Sequence, residues 1–367
     1  MLGSIRDVTL TPRIGVIGGG QLARMLFSAA LDLDIEVSFL VRPTDEGILG
    51  RAANVVVGDL SFESIAQFAS GVDVLTFEHE LTPVATLHAL EERGVCLRPS
   101  AKTMEVAANK LAQRELFGRL KLPIPRFAKL NRDTVFDLPC IAKTISGGYD
   151  GRGVRWINEA TELEPLADDS VEWLVEELLE VEGELAVLTV SSADGDITTY
   201  PPVRTIQREG ICVEVQWPAT MTGDIDERAQ ATATAIAREL GAVGVLAVEF
   251  FVVGGKLYVN EIAPRVHNSG HLTIEAASTS QFENHLRAVA GLPLGPTNFN
   301  TPATMVNLIG PLNPIADYQA VPDTRLHLYG KTPRAGRKVG HVTATATSAA
   351  AASQLAHRAR DRIVSGG

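Results

Sequence analysis

The residues best suited to chemistry crowd into one segment. Between Tyr258 and His271, YVNEIAPRVHNSGH, stand Glu261, Arg265, His267, Asn268, Ser269 and His271, and another carboxylate, Glu249, interrupts the apolar run before them. Residues 245–262 are two β-branched, apolar runs joined by Gly254-Gly255, the signal of a β-hairpin. A glutamate inside each run loses its hydration unless something pairs with it. A divalent cation shared by Glu249 and Glu261 would satisfy both; an oxygen donor pair suits Mg²⁺, with Mn²⁺ as a substitute.

Strand parity sharpens this expectation. Glu261, Ala263 and Arg265 point the same way, because alternate residues of a strand share a face. A strict two-residue loop would set Glu249 opposite Asn260, whereas a three-residue loop, Gly254 to Lys256, or a bulge would set it opposite Glu261. Only the second arrangement lets the two carboxylates share an ion.

A second group of residues points to phosphate. Lys143 ends an apolar strand and is followed by Ser146-Gly147-Gly148-Tyr149-Asp150-Gly151-Arg152-Gly153, a glycine-rich loop able to close over a polyphosphate. No Gly-Lys-Ser/Thr follows, so this is not a Walker A loop, and Lys143 would serve as a point charge toward ATP phosphates. Farther on, Trp173 to Leu178 is an apolar strand ending in acids; an edge backbone at Glu176, Glu177 and Leu178 would meet adenine, with Glu184 on the ribose. Lys331, Arg334, Arg337 and Lys338, followed by Gly340-His341, form a compact basic cluster fit to clamp a phosphate in an otherwise acidic chain.

The elements that must position these groups begin with a βαβ unit: a strand at residues 13–17, the Gly18-Gly19-Gly20 turn, a helix over 21–32 and a strand over 35–41. Gly18-x-Gly20-x-x-Ala23 matches a dinucleotide fingerprint, although Arg42 stands where an acid for the ribose is expected. Such a turn opening a helix binds phosphate whatever molecule carries it. Strands over 55–57 and 72–77 continue the sheet, and the second ends in Glu78-His79-Glu80, at the strand end where open α/β sheets bind ligands. Glu78 and Glu80 share parity; His79 reads as a solvated loop residue. Helices are expected over 103–120, 226–240 and 274–290, and the last sixty or so residues read as strand-rich. These signals divide the chain into an α/β domain at 1–102, a central region at 103–296 with a lid near 130–180, and a β-rich C-terminal domain at 297–367.

Composition bounds the function classes. A chain of 367 residues needs more than one core. With 33 basic against 44 acidic residues, net −11, there is no general attraction to nucleic acid or anionic membrane. No run is long and apolar enough for a membrane helix. Cys96, Cys140 and Cys212 are too scattered for a disulfide or metal framework; they read as small buried residues in a reducing, cytoplasmic setting.

Taken in order, IGGGQLARM at 17–25, TFEHE at 76–80, KTISGGYDGRG at 143–153, NEIAPRVHNSGH at 260–271, SQFENHLRAVAGLPL at 280–294 and GRKVGH at 336–341 resemble the ATP-grasp enzymes. Among these they are most similar to those that carboxylate 5-aminoimidazole ribonucleotide with ATP and bicarbonate in purine biosynthesis. The resemblance covers nearly the whole chain. It implies a Rossmann-like pre-ATP-grasp domain, an ATP-grasp region and a small C-terminal domain, and a homodimer. By position it implies Lys110 and Lys143 on the ATP phosphates, Glu176 and Glu184 on adenine and ribose, and Glu249 and Glu261 on Mg²⁺. Arg265, His267, Asn268 and Ser269 would surround bicarbonate and carboxyphosphate. Gln21, Glu78, Tyr149, Arg152, Lys331, Arg337 and Lys338 would receive the aminoimidazole ribonucleotide.

Some positions depart from the family pattern. Ala263 replaces a metal-binding asparagine common in ATP-grasp enzymes, Leu272 an expected aromatic residue, and residues 204–210 lack an expected histidine. The rival readings are another ATP-grasp ligase, such as a formate-dependent glycinamide ribonucleotide transformylase or a biotin carboxylase-like enzyme, and, from the fingerprint turn, an NAD(P)-dependent oxidoreductase. A third is a catalytically silent nucleotide-binding module.

Overall fold

The computed structural model describes residues 11–148, 153–219, 223–314 and 321–364. Its first sheet is parallel. Strands β1 (Ile14–Ile17), β2 (Val37–Val41), β3 (Val55–Val57) and β4 (Val74–Phe77) lie in the order β3-β2-β1-β4. Alternation along β1 explains its burial on both faces. Ile14 and Val16 pack with Leu22, Met25 and Leu26 of α1 (Gln21–Asp32), while Ile17 packs with residues of α2 (Phe62–Ala69) and α3 (Val84–Glu92).

The single helix expected over 103–120 is two, α4 (Ala101–Ala107) and α5 (Lys110–Arg119). Asn109 leaves the helical region at φ −129° and its side chain accepts a hydrogen bond from the Ala112 N–H, capping α5. An asparagine that can cap competes with continuing the helix, and here the Lys110 N–H finds the Ile145 carbonyl at 2.8 Å. That break aims Lys110 at the central site.

A small antiparallel sheet follows, β5 (Phe127–Lys129), β6 (Cys140–Thr144), β7 (Val154–Ile157) and β8 (Trp173–Glu177) in the order β5-β8-β6-β7, with the short helix α6 (Glu164–Ala167) beneath it. The large sheet has nine strands: β9 (Gly183–Ser191), β10 (Ile197–Thr199), β11 (Val203–Arg208), β12 (Ile211–Trp217), β13 (Gly244–Val253), β14 (Lys256–Ala263), β15 (Ala303–Ile309), β16 (Thr324–Leu328) and β17 (Lys338–Thr345). Their order is β14-β13-β9-β11-β12-β15-β17-β16, with β10 beside β9. The C-terminal strands therefore continue the central sheet through the β12–β15 pair. Helix α7 (Ile225–Leu240) packs on the hairpin strands. The helix expected over 274–290 is split into α8 (Thr273–Ala276) and α9 (Gln281–Ala290), because the Ser280 hydroxyl accepts from the Glu283 N–H and restarts it. The chain ends in α10 (Ala349–Ile363) against β15 and β17, so its last part is β-rich with a closing helix.

Helices α1 and α9 pack together, and one hydrophobic core runs from the first sheet into the large one. His285 of α9 sits in that joint, fully buried; its Nδ1 accepts from the Val245 N–H at 3.1 Å and its Nε2 lies 2.9 Å from Thr76 Oγ1. Burial pushes its imidazole down to about 4. Above an unfolded pKa of about 6.5 both states are neutral; as pH falls toward 4 only the unfolded chain takes up the proton, costing about 3 kcal/mol of stability. Urea midpoints between about pH 7 and 4.5 should fall more steeply in the native protein than in His285→Gln, and equal slopes would assign the loss to other groups.

Candidate active site

The hairpin carries the first half of the site. Gly254 and Gly255 form a two-residue loop with φ of +55° and +69°, which glycine adopts without strain. This short loop alone would misalign the glutamates, but a bulge leaves Asn260 unpaired and restores Glu249 opposite Glu261. The bulge is thus the device the parity argument required. Burial, with the Glu261 and Glu184 carboxylates nearby, pushes the Glu249 carboxyl up, whereas Lys110 holds that of Glu261 down. Glu184, half-buried on β9, is pushed up to about 7 by burial against the help of Gln207. Three carboxylates brought into mutual repulsion form an electrostatic hole for a cation. No group of three or more His, Cys, Asp or Glu side chains forms a metal cage among the described residues. The facing pair of Glu249 and Glu261 has the chemistry that suits Mg²⁺, which takes one or two carboxylates and completes its shell with phosphate and water.

The lysines meet this hole from two other elements. Lys110 Nζ lies 2.7 Å from Glu261 Oε2. Lys143, on β6, lies 2.7 Å from Glu176 and 3.4 Å from the Asn260 amide oxygen. Arg114, on the second turn of α5, binds Glu176 Oε1 at 2.6 Å and the Asn260 carbonyl at 2.6 Å. Burial opposes ionisation of Glu176, but Lys143 and Arg114 outweigh it and hold the carboxyl at about 2. Arg114 escaped the sequence reading because a lone arginine in an amphipathic helix reads as solvated; it is 2% exposed.

Here the expected adenine edge needs correction. Strand β8 is paired on both sides, with β5 and β6. The Glu176 carboxylate is committed to the two cations, and that of Glu177 takes the Arg126 N–H and Nε, each at 2.9 Å. The strand ends at Glu177, and Leu178 lies just beyond it.

The segment after the hairpin turns toward the first domain. Arg265 Nε donates to Glu80 Oε1 at 2.9 Å. His267 Nε2 stands 3.6 Å from Glu249 Oε1, and its Nδ1 is 2.9 Å from Ser269 Oγ and accepts from the Ser269 N–H at 3.4 Å. With Nδ1 turned to Ser269, Nε2 is the ring nitrogen that faces Glu249. Asn268 and Asn307 exchange amide hydrogen bonds at 3.1 and 2.7 Å. Asn307, on β15, gave no signal in sequence, since its partner is 39 residues away.

The first domain closes the far side. The Glu78 carboxylate takes the Gly20 N–H at 2.5 Å and the Leu22 N–H at 3.0 Å. The free N–H groups that a dinucleotide phosphate would need are thus filled from within the chain, and Arg42 is paired with Asp45 at 3.1 Å. Lys331 Nζ donates to Gln21 Oε1. Arg337 binds Glu46 at 3.0 Å, and the same carboxylate takes the Thr332 N–H at 2.6 Å. Glu46 was missed, though it stands shortly after β2, near where a ligand-binding acid was sought. Lys338 lies close enough to act electrostatically on Glu249. Tyr149 and Arg152, also expected here, lie outside the described residues. His79 is half-buried rather than solvated, its Nε2 shielded from solvent and its Nδ1 accepting from the Leu81 N–H at 3.3 Å, and Cys96 is exposed rather than buried. His341 lies outside the cluster, buried and stacked 4.5 Å from His327 and 4.9 Å from His271.

Two sheets facing each other across lysines and a carboxylate pair define an ATP-grasp ligase. The ATP-grasp domain model matches residues 115–282, the ribonucleotide synthetase preATP-grasp domain residues 11–108, and the phosphoribosylaminoimidazole carboxylase C-terminal domain residues 303–355. Within that class, the chain belongs to the N5-carboxyaminoimidazole ribonucleotide synthase family. It is 40% identical over 374 residues to the N5-carboxyaminoimidazole ribonucleotide synthase of Mycobacterium bovis, covering 95% of this chain and 86% of that protein. The Pseudomonas aeruginosa synthase is 39% identical over 343 residues, covering 90% and 94%. Among solved structures, N5-carboxyaminoimidazole ribonucleotide synthetase from Thermus thermophilus matches with a TM-score of 0.88 at 38% identity, over 96% of this chain and 99% of that one. The Aspergillus clavatus N5-carboxyaminoimidazole synthase, solved with ADP and 5-aminoimidazole ribonucleotide, matches with a TM-score of 0.87 at 29% identity, over 96% and 99%.

Proposed function

We infer that this chain carboxylates the exocyclic amine of 5-aminoimidazole ribonucleotide, using ATP and bicarbonate, in purine biosynthesis. The observation that carries the reading is the bulged hairpin: Glu249 faces Glu261, with Lys110 and Lys143 on one side and the Arg265–Ser269 turn on the other. The aminoimidazole ribonucleotide bound in the Aspergillus clavatus neighbour supports the choice of acceptor.

The chain's own groups divide the work. Glu249 and Glu261 would hold Mg²⁺, which would supply charge neutralisation for the phosphoryl transfer from ATP to bicarbonate that gives carboxyphosphate. Lys110 and Lys143 hold the ATP phosphates, the backbone from Leu178 meets adenine, and Glu184 takes the ribose. Glu176 and Glu177 act behind them: Glu176 orients Lys143, and Glu177 fixes Arg126. Arg265, oriented by Glu80, stabilises the anion formed from bicarbonate. His267, Asn268 and Ser269 enclose that anion, and His267, whose Nε2 stands 3.6 Å from Glu249, is the side chain placed to help proton transfer. Gln21, Lys331, Arg337 and Lys338 receive the ribonucleotide with Tyr149 and Arg152, while Glu78 stiffens the turn beneath them.

The working parts are residues 1–102, 103–296 and 297–367. A cytoplasmic homodimer completes the reading, supported by the family resemblance; among the described residues no helix is long and apolar enough to cross a membrane. The oxidoreductase alternative loses its support, since Glu78 fills its phosphate cradle.

ADP release from Mg-ATP should rise sharply when aminoimidazole ribonucleotide and bicarbonate are supplied together. A folded, ATP-binding preparation that neither addition stimulates would overturn the assignment.

A further inference from the structure

The turn at His267–His271 lacks a β-ladder of its own, yet both of its ends are held by one side chain. Gln281, the first residue of α9, is fully buried. Its Oε1 accepts the His267 N–H at 2.8 Å, and its Nε2 donates to the His267 carbonyl at 2.7 Å. The remaining Nε2 hydrogen faces His271 Nδ1 at 3.4 Å. These contacts fix the amide orientation, since a flipped amide would oppose donor to donor and acceptor to acceptor. The Gln281 N–H is itself held by Thr273 Oγ1 at 2.9 Å, and that hydroxyl donates to the Gly270 carbonyl at 2.6 Å. Gly270 packs so closely that a Cβ there would stand 2.6 Å from the Gln281 amide carbon.

We propose that Gln281 is a positioning residue for the bicarbonate-dependent step: through both main-chain groups of His267 it sets where the imidazole and Ser269 point, although it touches no substrate itself. This rests on the reading of the turn as the bicarbonate site. Helix α9 is a rigid support packed against α1 and the large sheet, and a turn tied to it by three hydrogen bonds has little freedom to swing. Lys110, Lys143 and Glu176 are anchored elsewhere, Lys110 on Glu261 and Lys143 on Glu176 and Asn260, so a small displacement of the turn bears first on the groups it carries. The consequence is a defect expressed mainly in the use of bicarbonate.

Two substitutions test this. Gln281→Glu keeps the acceptor for the His267 N–H but sets an oxygen against the His267 carbonyl. Gly270→Ala leaves Gln281 intact and drives a methyl into its amide. In both, kcat/KM for bicarbonate should fall roughly 10- to 100-fold, the effect of a small misplacement in a reacting geometry. More ADP should form per carboxylated product, while Mg-ATP affinity, titrated without bicarbonate, should stay within about twofold. The proposal is overturned if either folded variant keeps its bicarbonate kcat/KM, if ATP affinity falls in parallel, or if neither variant folds, which would make Gln281 a purely structural residue. A wild-type protein that bicarbonate does not stimulate would instead sink the proposed function and leave this geometry unaddressed.

Discussion

Glu261→Gln is expected to lower turnover by roughly 1,000-fold or more while the protein still folds, because phosphoryl transfer depends on charge placed in advance where it develops. The substitution keeps the shape of the side chain and removes its charge. In the proposed site it removes one of the two facing carboxylates that would hold the cation, and it frees Lys110 from its 2.7 Å partner. Stability should change little. The Glu261 side chain is 42% exposed, so screening leaves its ion pair worth at most about 1 kcal/mol, and losing a like charge beside Glu249 offsets part of that. ADP release and a thermal melt on the same preparation decide the matter. A variant within about tenfold of wild-type turnover would remove the carboxylate pair from the mechanism.

Arg114→Met should have the opposite signature, a large loss of stability. Arg114 and Glu176 are each 2% exposed, and Glu176 is also bound by Lys143. Removing one partner of a buried pair strands the other in low dielectric, which costs about 3–5 kcal/mol. Lys143 remains to share the burden, so the lower part of that range is expected. The Asn260 carbonyl loses its donor as well, which loosens the bulge that aligns Glu249 with Glu261. Denaturant midpoints report the stability, and adding Glu176→Gln to the Arg114→Met background should recover part of the loss by removing the stranded charge. If Arg114→Met alone costs under about 1 kcal/mol, the cluster is not a stabilising unit.

Much of the local architecture was legible in the sequence. Helix Gln21–Asp32, strand Val55–Val57 and the Gly254-Gly255 hairpin all matched, because apolar periodicity and turn chemistry act over a few residues. Helix interruptions were harder to see. Asn109 and Ser280 each break an otherwise periodic run by capping a new helix, a choice that depends on what else can satisfy the backbone. That β8 is not an edge strand was hidden for a related reason: nothing local indicates that it is flanked by both β5 and β6.

By itself, then, the sequence determined the class of chemistry: two acidic interruptions of a hairpin, a lysine before a glycine-rich loop, and a dense Arg-His-Asn-Ser run belong together only where a polyphosphate, a cation and a small anion meet. Tertiary structure decided how those groups are held. It chose a bulge at Asn260 over a longer loop, set the Glu78 carboxylate on the N–H groups of Gly20 and Leu22, and brought Lys331 to Gln21 across 310 residues of chain and Arg337 to Glu46 across 291. Periodicity and turn chemistry act within a few neighbours, whereas the partner of a buried charge is whichever opposite charge the packed sheets and helices bring to it, however far along the chain it lies.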